Sequence, residues 1–266
     1  LVRDSRREAA AQQALAALME SVKEVKSEDL DSTECLGLLK QLTKDALERL
    51  PSLEAGSCDR RLGLELGRVL RASLAAASAA SRDFAFDASE PFRRAAAKVK
   101  RRTPYMSEWG DGSLAHTPEE ARNFWLQRKA GETPGMDDVT MTTASHNSPG
   151  DLLFVVERLT DPRRCPWTRT HTAKALLRFL LDEIEEVSQE VAVLSAAGAG
   201  GAGQLAHFGA LASELGDLLF NALMAIYLAA RDYGLDAAAL MLEAAGESPG
   251  SMARSARCPA VASKKL

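Results

Sequence analysis

The sequence predicts an all-α protein assembled from two related helical units. Three observations carry this. Apolar residues recur at helical spacing throughout, and no run alternates with the two-residue period of a strand. Aromatic residues make up only 5% of the chain while Ala, Leu and Glu abound, which favours helix over sheet. A segment near residue 65 also reappears, without a gap, 149 residues later.

Taken in order, periodicity places helices at 8–25 and 34–50, with Pro51 and Gly56 separating them from a third at 60–83. A fourth, 88–102, runs out before Gly110 and Gly112, and a fifth, 117–130, before the 133–135 stretch. The sixth, 148–160, ends at the turn-rich segment 161–166. The seventh and eighth, 172–195 and 205–232, are joined by the Ala/Gly run 196–203, and the ninth covers 236–245. Residues 1–27 read as an N-terminal helical arm, 28–110 as the first unit, 111–147 as a helical linker and 148–245 as the second unit. The tail 246–266 carries Pro, Gly, Ser and Lys without a pattern and is expected to be disordered.

Composition narrows the function. With 33 basic and 37 acidic residues the net charge is −4, so no basic surplus exists to hold a nucleic-acid backbone. The longest apolar stretch, 218–230, is shorter than a bilayer span and carries Asn221, so no membrane is expected. The four cysteines (Cys35, Cys58, Cys165, Cys258) form no CxxC pair and read as reduced thiols, which points to a cytoplasmic protein. The chain begins at Leu1 and is expected to be a fragment or a processed form; a targeting segment upstream of it would leave no trace.

The repeat is specific in its punctuation. Leu64-Glu65-Leu66-Gly67 answers to Ser213-Glu214-Leu215-Gly216, Arg82-Asp83-Phe84 to Arg231-Asp232-Tyr233, and Asp87 to Asp236. Less tightly, Leu38-Leu39-Lys40-Gln41 falls near Leu180-Leu181-Asp182-Glu183. The chain is expected to be two copies of one helical unit.

Charge is distributed unevenly over the second copy. Between Arg178 and Arg231 there is no Lys or Arg, yet seven acids stand there: Asp182, Glu183, Glu185, Glu186, Glu190, Glu214 and Asp217. Like-charge pairs at i,i+4, such as Asp182/Glu186 and Glu186/Glu190, cost a helix stability, so a missing cation is implied. At ~100° per residue Glu183 borders the apolar stripe of its helix, with Glu186 and Glu190 further round on that side and Asp182 and Glu185 on the other flank. The next helix is apolar almost all round, and its exceptions Glu214, Asp217 and Asn221 share one face.

If the two helices pack antiparallel, Glu183-x-x-Glu186 and Glu214-x-x-Asp217 project four carboxylates into one space. Such hard oxygen donors suit Mg²⁺, Mn²⁺ or Ca²⁺ and not Zn²⁺. The bland counterpart is a solvated acidic rim, which is the reading for Asp182 and Glu185; Glu190 stays open between the two.

These residues resemble the MazG-type nucleoside triphosphate pyrophosphohydrolases. The similarity runs from Arg158-Leu159, Asp161-Pro162 and Cys165-Pro166-Trp167 through Leu180-Leu181-Asp182-Glu183 and Glu186-Val187. It closes on Glu214-Leu215-Gly216-Asp217-Leu218-Leu219-Phe220. Fainter likeness covers Lys98-Val99-Lys100-Arg101-Arg102-Thr103-Pro104 and residues 119–129, which include Trp125.

The resemblance implies tandem MazG-like helical bundles, working as a homodimer or an intrachain pseudo-dimer. It implies hydrolysis of an NTP or dNTP to the monophosphate and pyrophosphate, with Mg²⁺ (or Mn²⁺) as cofactor. Glu183, Glu186, Glu214 and Asp217 would be metal ligands, and Glu183 or Glu186 a general base in place of ligand. Trp167, Arg169 and Asn221 fall at positions for substrate contact; for Trp167 the alternative is a loop anchor, for Asn221 a helix–helix hydrogen bond.

This chain departs from the family pattern in several places. Thr168 stands where Asp is common, Ala173 and Ala175 replace polar residues, and no R-R-x-P segment follows Asp236 as it follows the first copy at 101–104. In the first copy Glu65 survives, but Arg68 replaces Asp217, Ala72 replaces Asn221, and Gln41 and Lys44 stand near the places of Glu183 and Glu186. Cations in place of ligands remove metal affinity, so the first copy is expected to be a structural partner. The competing readings are a related dUTP/dCTP or phosphoribosyl-ATP hydrolase, a helical metal-storage protein, and a catalytically silent assembly subunit.

Overall fold

The computed structural model describes residues 2–24, 30–50, 60–132, 149–197 and 204–246. The protein is all-α. Among the described residues there are nine α-helices, α1 (Val2–Glu24), α2 (Ser32–Arg49), α3 (Arg60–Asp83), α4 (Glu90–Arg102), α5 (Pro118–Ala130), α6 (Pro149–Thr160), α7 (Ala173–Ala197), α8 (Gln204–Tyr233) and α9 (Ala237–Ala244), with a 3₁₀ turn at Trp167–Thr170. The tail after 246, the end of the expected linker and most of the Ala/Gly run lie outside the described residues.

Local chemistry sets the helix starts. Asp31 and Glu34 close a reciprocal capping box on α2, and Thr117 and Glu120 do so on α5 behind Pro118. Asp236 caps α9 by accepting from Ala239 N. Helix α4 opens with Glu90 and ends with Lys100, Arg101 and Arg102, each charge placed favourably against the helix dipole.

Tertiary packing joins the two halves through one buried core that runs from Leu15 and Leu18 of α1 to Leu240 and Met241 of α9. Helix α2 pairs with α3, and α7 with α8. Glu183 meets Asn221 while Glu190 meets His207, so α7 and α8 run antiparallel. Helix α4 lies on α6 and α8, and α9 lies on α1 and α3. Helix α1, in the segment expected to be an arm, is packed into the bundle through Ala14, Leu15 and Leu18.

The repeated residues have matching duties. A Cβ on Gly216 would lie 2.6 Å from the Pro91 carbonyl oxygen and 3.2 Å from Ala95 Cβ, so the absent side chain lets α4 settle on α8. A Cβ on Gly67 would lie 3.1 Å from the Leu240 oxygen and 3.0 Å from Ala244 Cβ, where α9 settles on α3. Pro91 and Leu240, and Ala95 and Ala244, stand at the same spacing as the two glycines.

The arginines of the R-D pairs behave alike. Arg82 donates to the Leu30 carbonyl just ahead of α2, and Arg231 donates to the Thr168 and His171 carbonyls just ahead of α7.

One sequence expectation needs correction. The apolar part of α8 is not too short for a bilayer span: His207–Tyr233 is long and apolar enough to cross a membrane by length and composition, with a window of mean hydropathy 1.4. That window is 78% buried inside the bundle, where apolar flanks on all sides are required to build a core.

Candidate metal centre

The acids of α7 and α8 meet near the middle of their shared length. Carboxylate oxygens of Glu183, Glu214 and Asp217 all lie within 4.8 Å of one another, and all three side chains are half-buried. Helical spacing explains the grouping: Glu214 and Asp217 are one turn apart on the face of α8 turned to α7, and Glu183 borders the apolar stripe turned back to them. Around them stand Ile184, Val187, Leu215 and Leu218, all buried, which lowers the local dielectric.

Glu186 stands outside this tight group. It is exposed, and reaches the cluster through a side-chain hydrogen bond with Glu214. One turn along α7 carries it about 60° round the axis, away from α8. Asn221, only 7% exposed, donates from Nδ2 to Glu183 Oε1 at 3.2 Å. It is thus at once a helix–helix bond and a restraint on a site acid.

The electrostatics follow from crowding in an apolar place. Burial, and then the charges of Asp217, Glu186 and Glu214, push Glu183 up to about 8, with Lys98 opposing. Glu214 is pushed up to about 7, first by burial and then by Asp217.

Part of the counter-charge to these acids comes from the first half. Lys98 of helix α4 reaches across, placing Nζ 2.6 Å from Asp217 Oδ2 and 2.8 Å from Ser213 Oγ. Sequence reading recorded the basic segment around it but not Lys98 as a site residue. The signal was there in the i,i+4 pair Lys98/Arg102; what it lacked was a reason to place α4 on α8.

Trp167 and Arg169 lie apart from the acids. Trp167 stacks on Trp125 of α5, with centroids 5.8 Å apart and planes 11° from parallel, and its other neighbour is His171 at 4.1 Å. Arg102 sits over the Trp125 ring at 5.1 Å and is held by Glu132. Arg169 donates to the Pro162 carbonyl at 2.7 Å, and Thr168, buried, donates to the Leu159 carbonyl, so both tie down the 3₁₀ turn. Among the described residues no hydrogen bond or ring contact links Trp167 or Arg169 to the four acids. Asp182 and Glu185 are exposed, and Glu185 pairs with Lys40 of α2 at 2.6 Å. Glu190 faces His207 at 3.5 Å instead of joining the cluster.

Three hard, half-buried oxygen donors fit a divalent cation of the Mg²⁺ or Mn²⁺ kind. Among the described residues, nothing sulfur- or imidazole-based joins them in the cluster.

Comparison with known families gives one match: the MazG nucleotide pyrophosphohydrolase domain, over residues 171–244. The matched stretch holds all four acids and Asn221, and begins after Cys165-Pro166-Trp167. Searches of curated proteins and of solved structures return no match to the chain. Residues 171–244, from the end of the 3₁₀ segment through α9, are thus similar to the MazG nucleotide pyrophosphohydrolase domain.

Proposed function

We propose that the protein is a divalent-metal-dependent nucleoside triphosphate pyrophosphohydrolase, whose site is built by α7 and α8 and completed by α4 from the other half. Water attacks the α-phosphorus, the bond to the bridging oxygen breaks, and monophosphate and pyrophosphate leave. The observation that carries this reading is the convergence of Glu183, Glu214 and Asp217 within 4.8 Å in a half-buried setting.

Glu183, Glu214 and Asp217 would hold the ion, Mg²⁺ or Mn²⁺, with Glu186 as the outer member of the set. Once bound, it would polarise the α-phosphoryl oxygens and offset charge on the departing pyrophosphate. The remaining work falls to the chain itself. Asn221 fixes Glu183 and so keeps the cluster's geometry. Glu186, the most solvent-open of the four acids, is the one placed to take a proton from attacking water.

Lys98 balances the charge of Asp217, and with an ion bound there its ammonium would be within reach of the phosphates.

The same reading treats the chain as a duplicated unit acting as an intrachain pseudo-dimer. The seating of α4 on α8 and of α9 on α3, the paired glycines and the matching anchor arginines support it. The first half supplies a scaffold and the basic helix.

One observation favours a second reading, a catalytically silent assembly subunit: Lys98 already neutralises Asp217 from within the chain. Pyrophosphate release from a panel of NTPs and dNTPs with Mg²⁺ or Mn²⁺ separates the two. Release that Glu183→Gln abolishes supports the enzyme; no release from any nucleotide supports the scaffold.

A further inference from the structure

Lys98 is the point where the first half enters the acid cluster. Its Nζ bridges Asp217 Oδ2 at 2.6 Å and Ser213 Oγ at 2.8 Å, two residues one turn apart on α8 with Glu214 between them in sequence. The lysine side chain is only 14% exposed and that of Asp217 24%, so water and salt screen the pair poorly. Its charge also reaches Glu183 and Glu214, where it opposes the upward push of burial and neighbouring acids. The ammonium thus stands against the same three carboxylates that would hold a divalent cation.

We propose that Lys98 is an internal rival of that cation: it holds Asp217 in the metal-free chain and releases it when the cation binds. The inference rests on the metal centre proposed above and not on any reaction at it. A divalent ion drawn to Asp217 would meet the ammonium at close range in a setting of low dielectric, where repulsion between cations is strong. The lysine can yield without disturbing the fold, since its charge is a compact, strongly hydrated group on a flexible stem that can swing towards solvent. Among the described residues its hydrogen bonds are those to Asp217 and Ser213, so nothing further ties the ammonium down. Metal affinity is therefore set in part by α4, outside the two helices that carry the acids.

The first test follows Mn²⁺ binding to the full chain by electron paramagnetic resonance. Lys98→Met removes the charge and keeps an unbranched side chain. It should tighten binding roughly tenfold to hundredfold, because no charge-assisted hydrogen bond has to be given up. In EDTA the same variant should melt at a lower temperature than the unmutated protein, since its acids have lost their counter-charge, and excess Mn²⁺ should close the gap. Lys98→Gln takes its place if circular dichroism shows Lys98→Met unfolded.

The second test needs no variant. The amines of the unmutated chain are acylated with an N-hydroxysuccinimide ester and mapped by mass spectrometry, with and without Mg²⁺. Labelling of Lys98 should rise several-fold with Mg²⁺, while Lys23, paired with Glu20 on α1, keeps its rate. A lysine that only lends a fixed charge would label equally in both.

Mn²⁺ binding no tighter in the variants overturns the proposal and leaves the metal centre standing. So does labelling of Lys98 that Mg²⁺ leaves unchanged in a chain that binds it. No Mn²⁺ binding by any of the chains overturns both. Binding by the variants alone supports the rivalry in its extreme form and removes the enzyme reading.

Discussion

The two halves of the bundle share a backbone plan and differ in charge. At the α7–α8 crossing, Glu183, Glu214 and Asp217 crowd together and a lysine arrives from α4. At the α2–α3 crossing, Arg49, Arg61 and Arg68 surround Glu65. Core packing tolerates this difference because the apolar stripes and the crossing glycines Gly67 and Gly216 are present in both helix pairs. What differs lies at the margins of the core, where charge decides what can bind. Charges beside a helix crossing can thus differ while the glycines that set the helix–helix distance stay in place.

The sharpest way to break this comparison is to remove the matching acid from each half. Glu183→Gln is expected to lower pyrophosphate release by more than the roughly 10- to 100-fold that loss of an outer-shell metal partner costs. Glu65→Gln is expected to leave release within about twofold, because no charge at that crossing belongs to the reaction. Steady-state kinetics on the two variants measures both, and equal losses would erase the distinction between the halves.

Stability against pH gives the next effect. Glu183 moves from its ordinary 4.5 up to about 8, chiefly through burial and then through Asp217. Between those values the folded metal-free protein holds a proton that the unfolded chain has released, so stability falls as pH rises across that window. Glu214, pushed up to about 7, adds to the slope over the lower part of the range. Thermal melts in EDTA should therefore show Tm falling from about pH 5 to pH 8, and excess Mg²⁺ should flatten the curve. A flat curve in EDTA would show that these carboxyls ionise at ordinary pH.

The smallest difference concerns the glycines. Gly216→Ala places a methyl against the Pro91 backbone and should cost about 1–3 kcal/mol, the usual range for overpacking. Gly67→Ala meets a looser crossing, 3.0–3.1 Å from its neighbours, and should cost less. Denaturant midpoints rank the pair; the reverse order would mean that α9 and not α4 is the more tightly held helix.

Much of the fold was legible in the sequence because helix signals are local. Among the described residues, except for the start of α1, every helix begins and ends within two residues of the periodicity reading, and Asp31, Thr117 and Asp236 mark starts because each caps its helix. The acids were legible too, since a run without Lys or Arg is visible along the chain.

The seating of α4 on α8 and of α9 on α3 was not, since nothing local says which half a helix will pack on. Lys98 was missed for the same reason. Glu186 was grouped with the other three acids because i,i+3 spacing suggests one face, yet the 60° it adds turns it outward. Trp167 was a candidate for base stacking, and its ring is already stacked on Trp125, a residue 42 positions away that periodicity could not bring near.

The most direct test of the account is Mn²⁺ binding to the metal-free protein, followed by electron paramagnetic resonance. Saturable binding that Asp217→Asn and Glu183→Gln each abolish, and that Glu65→Gln leaves intact, is the predicted result. Binding indifferent to the α7 and α8 acids, or no binding at all, would contradict it.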